Sequence, residues 1–224
     1  MAHLRQESLI DLSHVIEAGM TTFKEFPGPI LCDYWTREAS AAHYDDGSSF
    51  HIGRIDMIAN TGTYVDSPFH RYADGHDLSE LPLGSLADLE GIVVRQPYAQ
   101  GLAVDVAAFA GLDVRDRAVL VHTGWDRHWR TETYFTDHPF LTASAADWLV
   151  ANGAAFVGID SHNIDDTRAR SRPIHSGLLG ADIPIGEHLT NLGALPDTGF
   201  RFSAVPPKVM GMGTFPVRAW AKIS

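Results

Sequence analysis

The run Asn60-Thr61-Gly62-Thr63-Tyr64-Val65-Asp66-Ser67-Pro68-Phe69-His70 constrains this chain more than any other stretch. An alternating apolar segment, Ile52 to Ala59, leads into it, and a polar turn, Ala73-Asp74-Gly75, follows. Pro68 stiffens the backbone between a carboxylate, Asp66, and an imidazole, His70, four residues on. A strand that delivers such a loop is a common way to present a metal or acid–base site. Taken alone, the same two side chains could equally cap turns and brace a rigid loop.

Composition narrows the field. A chain of 224 residues predicts one domain spanning residues 1–224. An apolar fraction of 45% is that of a globular protein. A formal charge of −11 argues against a nucleic-acid or anionic-membrane partner, because both require a basic face. Cys32 is the single cysteine, which excludes an intramolecular disulfide and a thiolate zinc cluster. The opening residues, Met1 to Glu7, lack the long apolar core of a signal peptide. No stretch approaches the ~18 consecutive apolar residues of a membrane span. These features predict a soluble cytoplasmic protein.

Periodicity predicts many short elements joined by Gly and Pro turns. Ser8 to Ile16 and Ile52 to Ala59 read as strands, whereas residues 17 to 50 show little period and read as a long functional loop. Leu81 to Leu89 holds at most one helical turn. Gly91 to Arg95, Ala118 to His122 and Ala154 to Ile159 read as buried strands. Val104 to Ala110, capped by Asp105, and Thr142 to Asn152, capped by Thr142 or Ser144 and ended by Gly153, read as helices. Ile174 to Leu179 is a helical turn, Ile183 to Ile185 a brief strand, and Phe200 to Val205 and Val217 to Ile223 closing strands. Strands outnumber helices without strict βαβ alternation. That predicts an α/β fold of one domain, a mixed curled sheet with flanking helices. Trp125, Trp129 and Tyr134 read as core or interface aromatics.

The 60–70 run resembles the signature of the metal-dependent cyclase family, which includes kynurenine formamidase-like and isatin hydrolase-like members and reads His-x-Gly-Thr-His-x-Asp-x-Pro-x-His. Gly62, Thr63, Asp66, Pro68 and His70 match, but Asn60 and Tyr64 stand where the signature has histidines. Further matches follow in order: Leu9 to His14, Val121 to Trp125, Val157 to Ser161, Pro173 to Leu179, Ile185 to Leu192 and Pro216 to Ala219. The resemblance implies a swivelling β/β/α-type architecture, usually a homodimer or homotetramer. It also implies that Asp66, His175 and Glu187 are metal ligands and that His70 is a general acid–base or a neighbour of the metal shell.

The two replaced histidines decide which chemistry survives. An amide oxygen from Asn60 is a weak ligand for zinc. The Tyr64 phenol, with an unperturbed pKa near ~10, would ligate only if a metal acidified it. Both residues therefore read either as structural replacements or as substrate contacts. Asp66, His175 and Glu187 still make a one-metal site of two carboxylates and an imidazole, suited to one divalent ion, zinc or manganese. His51 lies roughly 30 Å along a straight strand from the signature, at ~3.3 Å per residue. His162, just past Asp160, reads as a neighbour of the site or a substrate contact, and His188 as pointing elsewhere. Arg168, Arg170 and Arg172 form a solvated loop or, facing the cleft, an anion-binding one.

The expected function is that of a metal-dependent hydrolase of a small amide, lactam or ester, in which the ion activates water, His70 moves the proton, and Asp160 and Tyr64 orient water or substrate. Two alternatives stand beside it: a metal-free small-molecule binding protein on the same scaffold, and a biosynthetic cyclase or dehydratase.

Overall fold

Runs of β-branched and apolar residues with no polar alternation mark strands covered on both faces. In the computed structural model, which describes residues 8–223, such runs form the centre of the molecule. The Met1–Glu7 stretch read above lies outside the described residues. In chain order the strands are β1 (Ser8–Asp11), β2 (Ile30–Trp35), β3 (Ile52–Asp56), β4 (Tyr64–Asp66), β5 (Leu89–Arg95), β6 (Ala103–Val104) and β7 (Arg117–His122). They continue as β8 (Phe140–Leu141), β9 (Phe156–Ile159), β10 (Ile185–Glu187), β11 (Phe200–Ser203), β12 (Thr214–Pro216) and β13 (Trp220–Ile223). The helices are α1 (Arg37–Ala41), α2 (Ala143–Ala151) and α3 (Pro173–Gly180).

Nine strands make one mixed sheet, in the order β1-β13-β11-β5-β7-β9-β10-β4-β12. Strands β5, β7, β9 and β10 run parallel at its centre, and antiparallel strands flank them on both sides. Alternate residues divide between two cores. Ile92, Val94, Val119, Val121 and Ile185 join Leu149 of α2 and Ile174 and Leu178 of α3 on one face. Val93, Leu120 and Val65 join Phe156, Phe200 and Phe202 on the other. This is the mixed curled sheet with flanking helices that the sequence predicts. Thr142 caps α2 by accepting from the Ala145 N–H at 3.2 Å.

Several elements differ from the sequence reading. The segment Ile52 to Ala59 does not enter the large sheet: β3 pairs with β2 in a separate two-stranded ribbon, every residue of which is exposed. The strand that carries the signature is β4, within the signature itself. Residues 17 to 50 are not one loop, because β2 and α1 lie inside them. Residues 106–109 form a 3-10 turn rather than an α-helix, although Asp105 does cap it. The closing strand is shorter than the sequence predicts, β13 covering Trp220–Ile223, and the sequence reading has no strand at β12. In the ribbon and in the signature strand, long-range pairing overrides a weak local period.

Candidate active site

The site is assembled on the α3 face of the sheet. In β4, Val65 faces one core, so the flanking Tyr64 and Asp66 face the opposite side. The antiparallel register places Glu187 of β10 opposite Tyr64 and Ile185 opposite Asp66, so Glu187 shares their face. Between these side chains, Gly186 admits the Phe156 ring, whose nearest atom would stand 2.8 Å from an added Cβ. On the outer side β12 pairs with β4 and sets Thr214 against Asp66. Helix α3 then lowers His175 over the carboxylates from its first turn, with Pro173 opening the helix.

His175 Nε2 stands 3.6 Å from Asp66 Oδ2 and 3.7 Å from Glu187 Oε1. Its other nitrogen donates to Asp165 Oδ2 at 2.6 Å, which fixes the tautomer and aims Nε2 at the two carboxylates. The same Asp165 carboxylate accepts the backbone N–H groups of Ile174 at 2.9 Å and His175 at 3.1 Å, so it caps α3 and orients the imidazole together. Glu187 Oε1 accepts the Ile164 N–H at 2.7 Å, and Oε2 accepts the Tyr64 hydroxyl. Tyr64, in one of the signature's two replaced histidine positions, is thereby tied to Glu187.

His70 approaches from the other side on a short 3-10 turn, residues 68–70. Its Nδ1 lies 3.0 Å from Thr214 Oγ1 and 3.5 Å from Asp66 Oδ1. Thr214 donates its hydroxyl proton to Asp66 Oδ1 and can therefore only accept from His70. His70 is thus protonated at Nδ1, and the lone pair sits on Nε2. Donor atoms of Asp66, His70 and His175 all lie within 4.8 Å of one another.

The residues present fit a divalent cation. Asp66 Oδ2 is fully buried and has no hydrogen-bond partner. Three carboxylates, Asp66, Asp165 and Glu187, are buried around the single imidazole of His175. Such an excess of negative charge out of water calls for a positive partner. The electrostatics agree. Burial pushes the His175 pKa down, but Glu187 and then Asp165 and Asp66 outweigh it and raise it to about 10. Burial lifts Glu187 to about 7 against the pull of His175. Tyr64, wholly buried and facing Glu187 and Asp66, is held well above its usual range and stays a neutral donor.

Five of the six residues singled out in the sequence therefore come together: Asp66, His70, His175, Glu187 and Tyr64. Asp160 is differently engaged. Its Oδ1 accepts the Thr123 N–H and hydroxyl and its Oδ2 accepts the Gly124 N–H, clamping the turn after β7. Burial raises it to about 7 against those donors. His51 pairs with Asp33 on the exposed ribbon, 2.8 Å apart. His188 turns away from Glu187 through a left-handed backbone (φ 55°) into a cluster of rings with Tyr64, Tyr134 and His162. Asp165 and Thr214 escaped the sequence reading. No local signal marks Asp165, which lies eight residues before the start of α3 at Pro173.

The model of the Cyclase family matches residues 10–166. The chain belongs to the Cyclase family. The match covers β4 and the 68–70 turn, whereas His175 and Glu187 lie beyond it. A kynurenine formamidase of Erythrobacter litoralis is 28% identical over 166 residues, 74% of this chain and 74% of that one. A kynurenine formamidase of Geobacillus thermodenitrificans is 26% identical over 211 residues, 94% of this chain and 95% of that one. Among solved structures, isatin hydrolase A from Labrenzia aggregata superposes with a TM-score of 0.82 at 20% identity, covering 96% of this chain and 93% of that one. At that identity the likeness is one of fold, and the fold is the mixed α/β architecture described above.

Proposed function

We propose that this family member is a metal-dependent hydrolase of a small amide, lactam or ester. The observation that carries the reading is the buried Asp66 Oδ2, unpartnered and facing His175 Nε2 in a pocket with a surplus of carboxylates. The names of the relatives, formamidase and isatin hydrolase, support an amide C–N bond as the one broken. Asp66, His175 and Glu187 would hold one divalent ion, zinc or manganese, and the ion would supply Lewis acidity and acidify solvent at that point. His70 does the proton work. Its Nε2 lone pair, set by the Thr214 contact on Nδ1, takes a proton from the attacking water. The same atom then returns the proton to the leaving nitrogen as the C–N bond breaks. Tyr64 holds Glu187 in place through its hydroxyl. The setting is a reducing cytoplasm, where the exposed Cys32 stays a thiol.

The test is hydrolysis of formamides, lactams and lactones by protein of known metal content. Chelation should abolish turnover and zinc or manganese should restore it. His70→Gln should lower kcat by about 10²- to 10⁴-fold while leaving metal content unchanged. Full activity in metal-free protein would refute the reading.

A further inference from the structure

Two cavities open beside the candidate site and share Asn163 and Arg172 in their walls. The inner one, about 120 Å³, is lined by His70, Arg71, Asn163, Arg172 and His175. The outer one, about 350 Å³, adds Phe23, Lys24, Phe135 and His162, with Glu25 as the opposing charge.

About half of the described arginines are neutralised by a carboxylate, but the two that line the inner cavity are not. Arg95, Arg117, Arg130, Arg168, Arg201 and Arg218 each meet a carboxylate. Arg172 makes no ion pair among the described residues. Its Nη1 alone donates to the Asp166, Ala169 and Ser171 carbonyls, at 3.4, 2.7 and 2.9 Å, which anchors the group. The Nε and Nη2 edge, one that can meet a carboxylate in bidentate fashion, has no partner among the described residues. Arg71, on the same wall, makes a single contact through Nε to Ser176 Oγ at 3.0 Å and likewise has no ion pair. A second sign of a ligand is His162. It is 6% exposed, lines the outer cavity, and its buried Nδ1 has no partner.

We propose that Arg172, assisted by Arg71, binds a carboxylate of the substrate, so that the favoured substrate is an amide or lactam bearing an acid group close to the scissile bond. The proposal rests on the hydrolase reading for its reaction but not for its binding. Proximity follows from the lining: His70, the group placed at the scissile bond, and Arg172 border the same inner cavity. The rest of the molecule would extend into the outer cavity against Phe23, Phe135 and His162, surfaces that suit a flat ring. His162 Nδ1 would meet a polar edge of that ring.

The experiment compares N-formyl-2-aminobenzoate with formanilide as substrates, and 2-aminobenzoate with aniline as calorimetric ligands. The wild-type protein should favour each acid over its neutral counterpart by about tenfold or more. Arg172→Met should erase that preference through KM, and Arg71→Met should reduce it. Arg172→Lys should restore part of it, because ammonium keeps the charge without the fork. Arg170→Met, on the same loop but outside both walls, should leave the preference intact. Equal treatment of acid and neutral probes by the wild-type protein, or an equal loss on both in Arg172→Met, would overturn the proposal. Arg172-dependent binding of 2-aminobenzoate without any hydrolysis would uphold it while removing the hydrolase reading. Hydrolysis of both formamides at equal rates would do the reverse.

Discussion

At the scale of single residues, the arrangement turns on Asp165, which holds an imidazole with one oxygen and a helix terminus with both. The carboxylate keeps His175 Nδ1 protonated, so Nε2 is left as a donor aimed at Asp66 and Glu187. An amide in its place can accept through only one atom and presents an N–H₂ to the other contact. Asp165→Asn should therefore weaken divalent-ion binding by about 10- to 100-fold, with activity recovered at higher metal concentration. Competition against a chelating dye measures the change directly, and an unaltered affinity would show that His175 needs no such support. Tyr64 makes the complementary point. A phenol whose hydroxyl is committed to Glu187 and whose pKa is raised by burial does not become a phenolate ligand, so this position has exchanged a base for a hydrogen-bond donor.

At the scale of elements, β12 governs where His70 stands. Gly213, just before β12, accepts the Ser67 N–H at 2.7 Å, and a Cβ added there would lie 2.5 Å from the His70 backbone nitrogen and 2.6 Å from its Cα. Those are backbone atoms and cannot swing aside, so Gly213→Ala must displace the turn that carries His70, the proposed proton-transfer group. Displacements near 1 Å cost on the order of 10²-fold in rate, while the overpacking itself costs roughly 1–3 kcal/mol. Turnover should thus collapse in a variant whose melting temperature falls only modestly; a near-normal kcat would mean that the turn has slack. None of this was visible in the sequence, and the reason is physical. Gly91 to Arg95 and Ala118 to His122 were legible because both of their faces are buried and the apolar run is unbroken. Thr142 was legible because a cap is a local interaction. Strand β12 has three residues, too few to show a period, and exists through its register with β4. The β2–β3 ribbon misleads for the opposite reason, since alternation carries no information where both faces are exposed. In the site, Asp66, His70, His175 and Glu187 stood out by resemblance. Asp165 could not be told from Asp166 until the approach of α3 was known.

At the scale of the whole molecule, one cluster of buried rings draws together distant segments and ties stability to pH. His14 stacks on Trp129 with centroids 4.0 Å apart, and burial, against the pull of Asp126, lowers its pKa from 6.5 to about 4. A base depressed by folding binds fewer protons in the native state. Its contribution is whole above pH 6.5 and is lost as pH falls from 6.5 towards 4. His162, lowered to about 3 by burial, acts in the same sense, while Asp160, raised to about 7, opposes it. His14→Phe keeps a stacking ring and removes the proton, so its melting temperature should fall less steeply than the wild type's over that range, by a difference of at most about 3 kcal/mol. Parallel pH profiles would assign the acid lability elsewhere. The ribbon raises a separate question of what supports it. A lone pair of strands is marginal in water, yet β2 and β3 bury none of their own residues and present Ile30, Leu31, Tyr34 and Ile55 to solvent. An apolar surface of that kind calls for cover, and we propose that a second copy of the same chain supplies it, as the family resemblance implies. The protein should accordingly sediment at twice or four times its chain mass at micromolar concentration. Ile55, cross-strand from Leu31, is the position to break it: Ile55→Asp should shift the species to the monomer. A wild-type protein already monomeric under those conditions would leave the ribbon without its proposed cover.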